Sequence, residues 1–119
     1  MQTKGRRVIG NKGEAIAEKY LLSKGLDILA RNYCIRGGEL DLIAKDENGC
    51  IVFIEVKFRT TAAFGTGAEA VNSTKQKRMI KAAENYLFEN NLTEAPARFD
   101  VVEINGGEIN WIINAFEIS

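Results

Sequence analysis

The sequence predicts one mixed α/β domain whose elements run helix, three strands, helix, two strands. Three observations carry that reading. Two stretches place apolar residues at helical spacing behind capping signals, and five runs of strand-like alternation are bounded by Gly, Asn or Pro. The third and fourth strands are separated by a segment that holds the second helix, a crossover that makes them parallel in a mixed sheet. At 119 residues the chain is sized for a single core.

Met1 to Ile9 carries Lys4, Arg6 and Arg7, with Lys12 just beyond, and reads as a frayed terminus or a flexible basic arm that touches phosphate through Arg7. The first helix is expected over Asn11 to Lys24, opened by an Asn11-to-Glu14 capping box and closed at Gly25. Its apolar stripe is Ala17, Tyr20 and Leu21, with Ile16 and Leu22 at the margins. Glu14 lies one turn before Ala17 and therefore points toward the buried side, whether as a cap or in a second role.

Leu26 to Ile35 reads as a strand, and the tight connection at Arg36-Gly37-Gly38 returns the chain antiparallel into a central hairpin. That hairpin, Gly38 to Arg59, turns at Asn48-Gly49, and its register decides what it means. A three-residue loop of Glu47, Asn48 and Gly49 pairs Asp46 with Cys50, so Asp41 falls opposite Glu55 and Glu39 opposite Lys57. Leu40, Leu42, Ala44, Val52, Ile54, Val56 and Phe58 then form one apolar core face. A two-residue loop would carry charges onto that face, which favours the longer one.

The chosen register sets two carboxylates against each other on a face shared with Ile43, Ile51 and Phe53. Like charges opposed across strands are unfavourable, and a divalent cation between Asp41 and Glu55 would turn the repulsion into a site. Lys57, on the same side, is placed to reach a phosphate or polarise a water. The same residues also suit a solvated hairpin face with Lys57 paired to Glu39 or Glu55.

Arg59 to Val71 is rich in small residues and glycine and reads as a loop bordering the charged end of the hairpin. The second helix, Ser73 to Asn90, opens with a Ser73-to-Gln76 capping box and carries the apolar stripe Met79, Ile80, Ala83, Tyr86 and Leu87. Lys75, Lys77, Arg78 and Lys81 crowd its first half, where the helix already presents partial positive charge. A bound phosphate would explain them, as would a solvated face. Ala97 to Ile104 and Ile109 to Phe116 read as the last strands, joined through Asn105-Gly106-Gly107, with Trp111 for the core.

Composition narrows the chemistry. The chain has no histidine, which excludes imidazole-based triads, His-Glu-x-x-His zinc hydrolases and histidine phosphotransfer. Sixteen basic residues balance sixteen acidic ones, so any contact with nucleic acid rests on a local patch. Cys34 and Cys50 lack metal spacing. No apolar run is long enough to span a bilayer and no signal-peptide pattern opens the chain, so the expectation is a cytoplasmic protein without membrane contact.

Glu14 on the first helix, the Gly38-to-Ala44 strand with Asp41, and the Phe53-to-Arg59 strand with Glu55 and Lys57 together resemble a known pattern. With Arg98 to Val102 and Asn114 to Phe116, the chain resembles the YraN-like family of small bacterial proteins from Gly10 to Phe116. That family is similar to the PD-(D/E)xK restriction-endonuclease-like superfamily and, within it, to archaeal Holliday junction resolvases. The resemblance implies a restriction-endonuclease-like core, a mixed β-sheet flanked by helices in the order α-β-β-β-α-β-β. It further implies that Asp41 and Glu55 bind Mg2+ or Mn2+, that Glu14 assists, and that Lys57 positions the attacking water. Leu40 stands where the superfamily motif has its proline.

The function expected is a metal-dependent endonuclease hydrolysing DNA phosphodiesters, in branched or damaged DNA. Lys75, Lys77, Arg78, Lys81, Arg59 and Arg7 are the candidate nucleic-acid contacts, and the resolvase likeness implies a homodimer. A non-catalytic nucleic-acid-binding module on the same fold and a protein-interaction domain are the competing readings.

Overall fold

A computed structural model describes residues 5–58 and 71–118, with the backbone alone for 5–12. Its elements are α1 (Gly5–Ser23), β1 (Asp27–Ile35), β2 (Gly38–Lys45), β3 (Ile51–Phe58), α2 (Ser73–Glu89), β4 (Ala97–Asn105) and β5 (Glu108–Phe116). The expected order α-β-β-β-α-β-β is the observed one. The strands form one five-stranded sheet in sequential order, antiparallel except for the parallel β3–β4 pair, as the crossover requires. Among the described residues, no helix is long and apolar enough to cross a membrane.

The central hairpin adopts the expected register, with Leu42 opposite Ile54 and Lys45 opposite Ile51. Its loop closes through Asp46 N–H to the Cys50 carbonyl at 3.0 Å and Gly49 N–H to the Asp46 carbonyl at 3.1 Å. Gly49 sits at φ 85°, the left-handed position such a loop reserves for glycine. Asp46 Oδ1 also accepts the amides of Asn48 and Cys50, each at 2.9 Å, which pins the turn.

Both faces of this hairpin are buried, where the sequence pattern assigned only one to the core. Leu42, Ala44, Val52 and Ile54 pack with Ala17 and Leu21 of α1, while Ile43, Ile51 and Phe53 pack with Met79, Ala82, Ala83 and Tyr86 of α2. The result is a helix, sheet, helix sandwich. Leu40 joins the α2-side cluster, so strict alternation fails near the end where β2 and β3 stop pairing. Phe58 is 53% exposed rather than core, its ring lying against Gly13 of α1, where a larger residue would require the ring to shift.

Both helix starts differ from expectation. The α1 backbone is helical from Gly5, so Asn11 and Glu14 are interior residues and form no capping box; residues 5–9 belong to the helix, and an arm beginning at Met1 lies outside the described residues up to 4. Most residue types differ by less than about 1 kcal/mol in helix propensity, so a capping pattern does not forbid an earlier start. For α2 the cap is Asn72, whose side chain accepts the Lys75 amide at 2.8 Å. Asn is at least as good a cap as Ser, and Gln76 reaches the Val71 carbonyl instead of closing a box on Ser73.

At the end of the sheet where β3 and β4 begin, a charge network locks the strands together. Asp100 is fully buried and accepts Arg98 Nε at 3.0 Å, Trp111 Nε1 at 2.9 Å and the Asn114 amide at 2.9 Å. Arg98 also reaches Asp46 at 3.0 Å, tying the hairpin loop to β4. The network spans the register shift between Phe99 and Val101, where β5 bulges and Asn114 takes φ 56°.

Candidate functional site

The site lies toward the other end of the same strands. The β2–β3 ladder pairs residues 42–45 with 51–54 and goes no further, although β2 starts at Gly38 and β3 runs on to Phe58. Beyond the ladder, Val56 N–H donates to Asp41 Oδ2 at 2.8 Å. A carboxylate thereby satisfies a main-chain amide, a group that is costly to bury unpaired. Asp41 and Glu55 meet at this opening, as the register predicts.

Glu55 is the anomalous residue. Its side chain is 14% exposed, and Oε1 is buried with no hydrogen-bond donor among the described residues. Burial first, then the neighbouring Asp41 charge, push its pKa up to about 8, against the pull of Lys75. Glu55 therefore holds its proton to higher pH than an ordinary glutamate. Two converging carboxyl groups, one with an unclaimed oxygen, are a donor set suited to a hard divalent cation. Among the described residues, no group of three His, Cys, Asp or Glu side chains comes together for a metal, so Glu14 does not join this pair in such a group. Glu14 is half-buried on α1, whose core residues line the opposite face of the sheet from α2.

Lys57 is half-buried on the same strand, in register with Glu103 of β4. The expected Glu39–Lys57 pairing across the strands is replaced. Glu39 binds α2, with Lys75 Nζ at 2.7 Å from Oε2 and Arg78 at 2.9 Å from Oε1. Hydrogen bonds from Arg78 and then Lys75 lower the Glu39 pKa to about 2. Lys75 also stands 3.5 Å from Glu55 Oε1, an ion pair without a hydrogen bond. Burial disfavours its ammonium, yet the Glu39 hydrogen bond and the charges of Glu55, Glu39 and Asp41 hold its pKa above the usual lysine range.

Gly38 makes this meeting geometrically possible. A Cβ there would stand 2.8 Å from the Arg78 carbonyl and 3.0 Å from the Ala82 amide, so β2 and α2 touch backbone to backbone. Lys77 and Lys81, also on the basic half of α2, are exposed. Arg59, the Arg7 side chain and the loop from 59 to 70 lie outside the described residues. Glu39 is the site residue the sequence reading did not single out for function. Its signal was the i, i+2 spacing to Asp41, together with unexplained cations at the start of α2.

The element order and the single mixed sheet between two helices define a mixed α/β protein with an acid pair at an opening between its central strands. Comparison with known proteins gives the family. The model described as "Uncharacterised protein family UPF0102" matches residues 13–104, and the chain belongs to that family, the YraN-like family of the sequence resemblance. A UPF0102 protein of Saccharophagus degradans is 47% identical over 111 residues, covering 92% of this chain and 93% of its own. One from Clostridioides difficile is 48% identical over 109 residues, covering 90% and 95%. Another, from Trichlorobacter lovleyi, is 43% identical over 121 residues, covering 98% and 95%. Among solved structures, Pyrococcus furiosus SfsA in complex with Ca2+ aligns with a TM-score of 0.39 and 18% identity. That alignment covers 95% of this chain and 65% of the SfsA chain.

Proposed function

We propose that this protein is a divalent-cation-dependent endonuclease that hydrolyses DNA phosphodiesters, with branched or damaged DNA as its substrate class. The observation that carries the reading is the unclaimed Glu55 Oε1, buried beside Asp41 where the sheet opens. A structural carboxylate in such a place would be expected to collect donors. Asp41 and Glu55 would hold Mg2+ or Mn2+, and the bound cation would supply Lewis acidity toward the phosphate. Lys57 orients the attacking water from the same strand as Glu55. A carboxylate would take the cation only without its proton, so the raised Glu55 pKa predicts tighter metal binding as pH rises.

The exposed Lys77 and Lys81, with Arg59 and Arg7, contact the DNA backbone, and Lys75 and Arg78 border the site from α2. A homodimer would present two such sites to one branched substrate, and the cytoplasm is the compartment this activity implies. The chain carries no net charge, so its hold on DNA depends on this local patch and weakens steeply with salt.

The test is cleavage of end-labelled single-stranded, duplex, flapped and four-way-junction DNA with Mg2+, with Mn2+ and with chelator, beside the Lys57→Ala protein. Cutting that needs metal and is lost in the variant is the expected result. Absence of cutting with every substrate, together with no metal uptake by calorimetry, overturns it and leaves DNA binding without chemistry as the reading to pursue.

A further inference from the structure

The acid pair and α2 communicate through one lysine. Lys75 Nζ lies 2.7 Å from Glu39 Oε2 on one side and 3.5 Å from Glu55 Oε1 on the other. The second of these is the buried oxygen that no hydrogen-bond donor among the described residues reaches. Arg78 occupies the remaining oxygen of Glu39 at 2.9 Å, so that carboxylate is gripped at both ends and tethers the lysine. Lys75 sits in the first turn of α2, where the helix dipole disfavours a cation. Its place is explained by the acids it faces, not by the helix that carries it.

The two contacts are unequal in kind. Toward Glu39 the ammonium makes a short charge-assisted hydrogen bond; toward Glu55 it has only ion-pair proximity. A divalent ion held by Glu55 would bring a second positive charge to the same oxygen. The lysine side chain is long and rotatable, so the outer contact can persist while the inner one is given up.

We propose that Lys75 is the resident counter-cation of the acid pair, a positioning residue that a divalent ion displaces from Glu55 and that Glu39 retains at the rim for the substrate phosphate. The proposal rests on the cation-binding role of Asp41 and Glu55 given above. It assigns the protein two functional lysines with different duties. Lys57 acts from the strand that carries Glu55, whereas Lys75 acts from the facing helix and sets how readily the metal enters.

Calorimetric titration with Mg2+ separates the two proposals. Lys75→Met should bind Mg2+ about tenfold more tightly than wild type, or about 1.4 kcal/mol, because the competing charge is gone. Lys77→Met, which removes an equal but exposed charge on the same helix, should change the affinity less than about twofold. In protein labelled at lysine Cε, the Lys75 resonance should move on Mg2+ addition in wild type and stay in Glu55→Gln. Equal affinities for Lys75→Met and Lys77→Met, or a Lys75 resonance that saturating Mg2+ leaves in place, overturns the proposal while the metal site stands. No Mg2+ binding by wild type overturns both. Lys75→Gln repeats the titration if the methionine variant does not fold, and the labelled wild-type protein needs no substitution at this position.

Discussion

Asp100 and Glu55 are both acids buried on the parallel pair β3–β4, one near the start of β4 and the other toward the end of β3, and their surroundings are opposite. Asp100 receives a guanidinium, an indole N–H and a main-chain amide, which saturate it. Glu55 receives another carboxyl as its neighbour, a lysine at ion-pair distance and, among the described residues, no donor on Oε1. Burial alone therefore does not mark a functional acid. The distinguishing property is whether the fold supplies donors to offset the loss of water. The two ends differ accordingly: the strand starts are clamped by the Asp46, Arg98 and Asp100 network, and among the described residues no such clamp surrounds Glu55.

Stability measurements can break this contrast. Asp100→Ala should destabilise the protein by about 3–5 kcal/mol in chemical denaturation, since it strands Arg98, Trp111 and the Asn114 amide around an uncompensated site. Glu55→Gln should leave stability nearly unchanged at neutral pH, because the amide, like the protonated acid, is neutral beside Asp41. Equal losses from the two substitutions would erase the distinction between clamp and site.

The pH dependence of the metal-free protein sharpens it. Glu55 has a folded pKa of about 8 against an ordinary value of 4.5, so between these pH values the folded chain holds a proton that the unfolded chain releases. Its stabilising contribution is complete below about 4.5, falls as pH rises by up to about 1.4 kcal/mol per unit, and is lost above about 8. The total is on the order of a few kcal/mol. Glu39, with its pKa near 2, is ionised in both states across this window and adds no slope. Denaturation midpoints between about pH 5 and 9 should show the decline in wild type and a flatter profile in Glu55→Gln. Parallel profiles would place the proton elsewhere.

A smaller effect tests how the open end is assembled. Gly38→Ala must separate β2 from the Arg78 carbonyl and should cost about 1–3 kcal/mol, as overpacked contacts do. It should also loosen Glu39 from Lys75 and Arg78, which a rise of the Glu39 pKa in NMR titration would report. A Glu39 titration unaltered by the alanine would show that the close approach is mere packing.

Much of this was legible in the chain. The hairpin register followed from Asn48-Gly49 and alternation, because a tight turn fixes both strands at once, and it correctly brought Asp41 to Glu55. The helix starts were less legible. Asn11 resembled a cap within a helix that begins at Gly5, and Asn72 took the role assigned to Ser73, because neighbouring polar residues compete closely for the cap. The second buried face was hidden for a different reason. Ile43, Ile51 and Phe53 meet residues of α2, and strand alternation records that a face is apolar without recording what covers it.

By itself, then, the sequence determined the element order, from patterning along the chain, and the hairpin register with the meeting of Asp41 and Glu55, from spacing along one local stretch. Only the tertiary structure decided that Glu39 belongs to Lys75, 36 residues away, that Asp100 is a clamp, and that Glu55 Oε1 has no donor among the described residues. Such facts depend on how the helices land on the sheet, and a charge is indifferent to sequence distance once packing has brought its partner near and excluded the water between them.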